Sequence, residues 1–550
     1  MKRAGDFVEV GCDLVGGLVS APACAATWMR ADTHNFILYS SGSESQLREY
    51  ATKLEKFDAA LRLLLNLPKD ANPNRLEIYL VADADDVGRL HGDQHTAGFY
   101  SPSLDGSFAI ANRDRKANKF ALDGLTVLFH EYAHHMMYRN FNYSYPTWFS
   151  EGFAEYVSTM QFNNDGSWTY GFPAFHRNYD LVADTRSYPV DAMVYNELKG
   201  RASNRYGLYA FGWLTVHMLF STPEYRKKLD TYLRAFGQGT PPRVAATEAF
   251  GDMKAFKATV NKYRSGKLIY KKSTMPLDYE TAMAISTLNA DDSKLVELTM
   301  ARKSSTNPVR TRNGLAALSA KFPNNANIAL ELAYAEHEVV LEEYRAARKA
   351  ALAAKGEAKP PVAEGDDEDE EEDDFDVDPK RYAAAFAALD RAIALNPAQR
   401  RALDFKGRLM IETLPGDDKD GWKKARGYIS AANRLSPDDP APLFDYYMSF
   451  RRQGGPVPKA AKDALAQAFG TIPEVNEVTF EYAFALAEEG QYRAAENILK
   501  TIAFNPHAGG SLGPLHALAE MERAKLGSTP IDAELKALET ATAEAEPAKK

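Results

Sequence analysis

Two short stretches of this sequence hold residues whose types and spacing can do chemistry. "HEYAH" sets His130 and His134 four apart with Glu131 next to the first, and "WFSEGFAEY" sets Glu151 and Glu155 four apart shortly downstream. On an α-helix, residues four apart stand one turn above each other on one face. Both imidazoles can therefore meet a single metal ion, while Glu131 reaches a water on that ion without binding it. Zinc completes such a site with one more protein ligand and an open vertex for solvent. Glu151 reads as that third ligand. Glu155, one turn further on, is placed to accept the free ring N–H of a ligand histidine and so orient the ring. The reverse assignment, Glu155 as the ligand, uses the same helical spacing. The chemistry implied is hydrolysis at a carbonyl. One zinc per chain acidifies the water and polarises the carbonyl, and Glu131 takes the proton and returns it to the leaving amine.

Other histidines compete for attention. His91 and His95 are also four apart, but Gly92 lies between them and no Glu follows the first, so they read as surface loop residues. His135 follows His134 directly and must point elsewhere on the helix, which suits a structural or supporting role. His176, in "FPAFHR", reads as a loop histidine, with donation to a transition state as its other reading.

The elements that position these residues are legible by periodicity. Residues 35–41 read as a short strand. Residues 44–67 read as a helix, with Leu47, Tyr50, Leu54, Phe57, Leu61 and Leu64 recurring at three and four, and Pro68 stops it. "RLEIYLVA" (75–82) alternates like a strand. "GFYSPSLDGSFAIAN" (98–112) reads as two strands about a turn at Asp105-Gly106. Asp123 is the expected N-cap of the helix carrying the histidines. Pro146 opens the next helix, whose Phe149, Phe153, Tyr156, Val157 and Met160 form a stripe for burial.

With both motifs in view, the sequence resembles the gluzincin metallopeptidases, the thermolysin-like and aminopeptidase-N-like zincins, and among them the bacterial peptidase-MA-like proteins. The resemblance covers about residues 28–220 and rests on "HEYAH", "WFSEGFAEY", the opening "THNFILYSSGSESQLREYATKLEKF" and the later helix "YGLYAFGWLTVHML". It implies an α+β zincin fold, His130, His134 and Glu151 as ligands, Glu131 as base, Tyr209 as a donor to the oxyanion, and the strand near Ser107–Asn112 as the one that pairs with an extended peptide. Tyr209, Trp213, Val216 and Phe220 also make a core stripe, which is the other reading of that tyrosine. Aminopeptidase members carry an upstream glycine-methionine-glutamate motif that captures the substrate amine. None occurs here, so the expectation is an endopeptidase.

Length and charge bound the rest. A chain of 550 residues exceeds one ordinary core. The net charge of −9 is concentrated in an acidic run at 364–378, which holds twelve carboxylates and no Lys or Arg; without them the chain would carry about +3. No basic region marks a nucleic-acid binder, and no apolar run is long enough to span a membrane. The two cysteines, Cys12 and Cys24, exclude a disulfide framework and a cysteine-zinc site. "LVGGLVSAPACAA" after Lys2 and Arg3 resembles an export leader weakened by Glu9 and Asp13, or else a disordered terminus. The expected location is the periplasm or outside of a bacterium, with the cytoplasm as the other possibility.

From about residue 280 strands are expected to disappear. Alanine-rich helices ending before Pro323, Pro397, Pro437, Pro473 and Pro506 recur at close to the tetratricopeptide period, with "ALDRAIALNP" and "GQYRAAENILKTIAFNP" the best copies. Helix pairs of this kind bury their faces by stacking into a solenoid; a plain helical bundle is the other arrangement. The expected organisation is a leader (1–27), a zincin-like domain (28–275), an all-α repeat domain (276–540) with a disordered acidic insertion (355–380), and a disordered tail (541–550). Two function classes follow. One is a zinc peptidase whose partners are a peptide or protein substrate and a protein recruited by the repeats. The other is a non-catalytic adaptor with a relic zincin domain. An intact His130, Glu131, His134 and Glu151 favours the first.

Overall fold

The computed structural model describes residues 27–69, 74–115, 118–140, 144–183, 188–198, 205–305, 307–354 and 378–503. The expected leader (all but residue 27), most of the acidic insertion, Pro506 and the tail lie outside the described residues.

The described residues open on a hairpin, β1 (Met29–Asp32) and β2 (Phe36–Ser40), followed by α1 (Glu44–Leu65), β3 (Leu76–Val81), α2 (Ala84–His91), β4 (Gly98–Ser101) and β5 (Phe108–Asn112). The parallel pairing of β2 with β3 requires a crossover, and α1 supplies it. Ser43 caps α1 by accepting from the Gln46 N–H at 3.2 Å. The helix lays Leu47, Leu54, Phe57 and Leu61 into the core, and Phe57 stacks on Phe129 with ring centroids 4.1 Å apart.

Two helices carrying the motifs come next, α3 (Gly124–Asn140) and α4 (Thr147–Ser158). Asp123 caps α3 as its sequence suggests, its Oδ1 accepting from the Thr126 N–H at 2.7 Å. The expected stripe Phe149, Phe153, Tyr156, Val157 and Met160 on and just after α4 is buried. Then follow β6 (Gln161–Phe162), β7 (Trp168–Tyr170), α5 (Asn178–Ala183), α6 (Val190–Val194), α7 (Arg205–Leu219), α8 (Pro223–Gly237), α9 (Pro242–Phe250), α10 (Met253–Arg264) and β8 (Lys271–Ser273), which joins β6 and β7 in a small sheet.

Strands do not stop at residue 280. β9 (Ala284–Thr287) returns to pair antiparallel with β1, so the main sheet has the order β4-β5-β3-β2-β1-β9. A four-residue strand whose partner lies far back in the chain leaves no local periodicity to read. The order also corrects an expectation about the peptide-pairing strand. β5 is flanked by β4 and β3, and β4 is the outer strand at that end of the sheet.

After β9 the described chain is helical: α11 (Ala290–Lys303), α12 (Pro308–Lys321), α13 (Ala326–Ala354), α14 (Ala383–Leu395), α15 (Arg400–Thr413), α16 (Lys419–Leu435), α17 (Pro440–Arg451), α18 (Lys459–Thr471), α19 (Asn476–Glu488) and α20 (Tyr492–Ala503). These helices pack in consecutive pairs. Pro323, Pro397, Pro437 and Pro473 each fall two residues beyond the end of a helix, where a residue that cannot continue a helix belongs.

The helical region folds back onto the sheet and is fastened there by buried charges. Glu77 on β3 receives the Lys303 Nζ at 2.7 Å and the Arg401 Nη2 at 3.3 Å. Asp105, in the turn after β4, receives the Arg408 Nη1 at 2.9 Å, and the Nε of the same arginine bonds Asp445 at 2.8 Å. Leu104 beside it packs with Trp422 and Phe444 from the helices.

Candidate metal centre

Three side chains from α3 and α4 converge. The Nε2 atoms of His130 and His134 are 3.1 Å apart, the Glu151 Oε2 lies 3.1 Å from the first, and it lies 3.6 Å from the second. A tetrahedral zinc ion with arms of about 2.0–2.1 Å needs ligand atoms about 3.3 Å apart, so the triangle fits that ion. Among the described residues this is the group able to hold a metal. The donor set, two imidazoles and a carboxylate, suits zinc chemically as well. His91 and His95 border the same cleft but do not join a metal-capable group.

The local field favours a cation. Burial lowers the proton affinity of His130, but Glu151, Glu155 and Glu131 outweigh it and raise the imidazolium to about 9. The same three carboxylates attract any other cation at that position. Burial lifts the Glu131 carboxyl above its ordinary value, with His130 and His134 opposing the shift.

His130 turns its other nitrogen to Glu155, with Nδ1 and Oε1 3.6 Å apart. Glu155 is itself held by two residues whose role the sequence did not reveal. The His176 Nε2 lies 2.8 Å from Oε2, and the Arg177 Nε donates to Oε1 at 3.0 Å, with a second bond from Nη2. Burial works against the charge on Glu155, but Arg177 and His176 prevail and hold the carboxyl far below the usual range. His176 is thus engaged with Glu155. Nothing in "FPAFHRNYD" signals this, because the 3-10 turn Phe175–Arg177 reaches α4 only through the fold.

Close backbone approaches set the geometry. A Cβ on Gly152 would lie 2.5 Å from the carbonyl carbon and oxygen of Gly212, and a Cβ on Gly212 would lie 2.7 Å from the Trp148 carbonyl oxygen. The glycine after Glu151 therefore lets α4 and α7 touch. That contact carries Tyr209 to the site, with its ring centroid 5.8 Å from that of His130 and the Arg177 guanidinium 4.9 Å above its ring. Trp213 and Val216 stay in the core, while Tyr209 faces the cleft. Glu151 and burial push its phenol well above its ordinary value, so it remains a proton donor. On the opposite side, a Cβ on Gly98 would lie 2.3 Å from the Val127 Cγ1 and 3.5 Å from the Glu131 Cγ. The edge strand β4 can lie against α3 because residue 98 has no side chain.

The result is a cleft of about 460 Å³ bordered by β4, α7 and the triangle of His130, His134 and Glu151. Residues of the helical region, Pro473, Glu474, Asn476, Thr501 and Ile502, also border it. His135 points away from that triangle, its Nδ1 3.0 Å from the Tyr100 hydroxyl. The arrangement is that of a possible metallohydrolase centre. No protein-family model matches the chain, and no curated protein matches it. Among the described residues no helix is long and apolar enough to cross a membrane.

Proposed function

We propose that the chain is a zinc-dependent peptidase of the zincin kind, and that its helices from α11 onward form a tetratricopeptide-like solenoid serving a catalytic unit that ends with β9. The observation that carries this reading is the triangle of His130, His134 and Glu151 beside Glu131, in a cleft walled by the outer strand β4. An outer strand can offer main-chain groups to an extended chain, which favours a peptide over a compact small molecule as substrate.

A zinc ion held by the three ligands would supply an acidified water and polarise the scissile carbonyl. Glu131 accepts the water's proton and delivers it to the departing nitrogen; its raised affinity for protons suits both halves of the task. Tyr209, kept as a phenol, donates to the oxygen that becomes negative. Glu155 orients His130 through Nδ1 and is in turn fixed by Arg177 and His176. Neutral or anionic nucleophiles on the protein are not needed.

Metal analysis of the purified chain tests the reading. About one zinc per chain is expected, with cleavage of peptides lost on chelation and restored by zinc. A chain that neither carries zinc nor is stabilised by added zinc contradicts it.

A further inference from the structure

One carboxylate in the cleft wall has no task in the chemistry above. Glu474 follows Pro473 in the turn between α18 and α19, and it comes to rest beside α3 and β4, with its side chain 1% exposed. Neither of its oxygens meets a donor from another residue, and only its own backbone N–H lends it support. The His135 Nδ1 stands 4.0 Å away, and that atom is already engaged by the Tyr100 hydroxyl at 3.0 Å. Arg139 lends Glu474 a favourable field but spends its Nη1 on the Asn74 carbonyl at 3.5 Å. Burial consequently pushes the Glu474 carboxyl up to about 7. A buried carboxylate lacking donors is unfavourable unless a ligand brings them, and Glu474 borders the cleft where a ligand would enter.

Its place along the cleft indicates what that ligand is. Glu131 lies against β4, its Cγ beside Gly98 and its carboxylate bonded by the Tyr100 backbone N–H, and so marks the reacting position. His135 stands one turn further along the same face of α3, where its Nδ1 meets the Tyr100 hydroxyl and faces Glu474. Four residues of helix span roughly 6 Å. A peptide extended along β4 with its scissile carbonyl beside Glu131 therefore sets a group one or two residues away against Glu474. We propose that Glu474, supplied by the helical region, is a specificity residue that binds a cationic nitrogen of the substrate, either the α-ammonium group or a Lys or Arg side chain. This rests on the peptidase reading for the identity of the substrate. The sequence could not suggest it, since Glu474 lies far from the motifs in the chain and in a stretch that reads as helical repeat.

The test uses the full zinc-loaded chain carrying Glu131→Gln, so that bound peptides persist. The probe is a library of short peptides of mixed sequence in four forms: unmodified, N-acetylated, with Lys and Arg replaced by norleucine and citrulline, and with both changes. Retention is read by mass spectrometry. Charged forms are expected to bind about 10- to 100-fold more tightly than the doubly neutralised form, the range of a charge-assisted hydrogen bond. Loss on acetylation alone assigns the α-amine and hence trimming from an end; loss on side-chain replacement alone assigns Lys or Arg and internal cleavage. Adding Glu474→Gln, or Glu474→Met should the first misfold, erases the preference while zinc content is kept. Equal binding of charged and neutral forms, binding of none, or a preference that survives both variants overturns the proposal. Hydrolysis by the chain with Glu131 intact is scored apart. Cation-selective binding without cleavage removes the peptidase reading and leaves this site standing, and cleavage without cation preference does the reverse.

Discussion

The Nδ1 of His130 faces the Oε1 of Glu155 at 3.6 Å, while the Nε2 of the same ring meets Glu151 at 3.1 Å. One imidazole is thus shared between two glutamates with different duties, although both sit on the same face of α4 one turn apart. Zinc affinity separates the duties. Glu151→Ala removes a ligand and should abolish tight binding, whereas Glu155→Gln should weaken it by about 10- to 100-fold, as loss of an orienting partner does. Competition with a coloured chelator measures both. Equal losses would remove the distinction drawn between them.

Glu155 also neutralises Arg177, whose side chain is 12% exposed. Glu155→Ala strands that charge and should cost about 3–5 kcal/mol of stability, more than Glu155→Gln, which keeps part of the hydrogen bonding. Urea unfolding of the two variants in zinc-free buffer checks the order, free of any metal effect.

The contact of α4 with α7 yields a test that involves no functional group. Gly152→Ala sets a methyl 2.5 Å from the Gly212 backbone, which has no freedom to yield as a flexible side chain would. A loss of about 1–3 kcal/mol is expected. Gly427→Ala on α16 meets nothing within 4 Å and should gain roughly 0.5–1 kcal/mol from helix propensity. A Gly152→Ala protein as stable as the parent would mean that the two helices do not meet at these residues.

Acid should loosen the attachment of the helices to the sheet. Burial alone would raise Glu77 and Asp105, but Lys303 and Arg401 hold Glu77 far below its ordinary value, and Arg408 holds Asp105 at about 2. A carboxyl depressed in the folded state contributes stability that is complete above its unfolded value near pH 4 and is lost as pH falls through the folded value. Stability measured by urea should therefore decline from about pH 5 toward about pH 2. Glu77→Gln should make that decline shallower, and an unchanged slope would deny the pairing its contribution.

A chain ending at residue 280 should not fold as a working unit. It lacks β9, leaving β1 without its outer partner, and it lacks Val296 and Met300, which pack on Trp28, Tyr79 and Phe108. Such a fragment should bind a hydrophobic dye and lose the cooperative unfolding of the full chain. Cooperative unfolding with the sheet intact would show that the helices are dispensable to it.

Local order was legible in the sequence where one element declares itself. The stripe of Leu47, Leu54, Phe57 and Leu61 gives α1, and the four-residue spacing of His130 and His134 brings two imidazoles together, because both depend on residues one helical turn apart. What escaped depends on contacts between distant parts of the chain. β9 is too short to show a period, and its partner β1 is only four residues long. β4 and β5 read alike in the sequence, and only the sheet order tells which is the outer strand. Arg177 and His176 on Glu155, and Glu474 beside Tyr100, are polar residues in turns, which carry no pattern until the fold brings them in.

The most direct test of the central claim compares the parent chain with Glu131→Gln on a digest of proteome-derived peptides, with zinc measured in both. The parent should generate new peptide termini, and the variant should hold the same zinc, about one per chain, while generating essentially none. New termini from the variant at the parent's rate would contradict Glu131 as the base, and none from a fully zinc-loaded parent would contradict the peptidase itself.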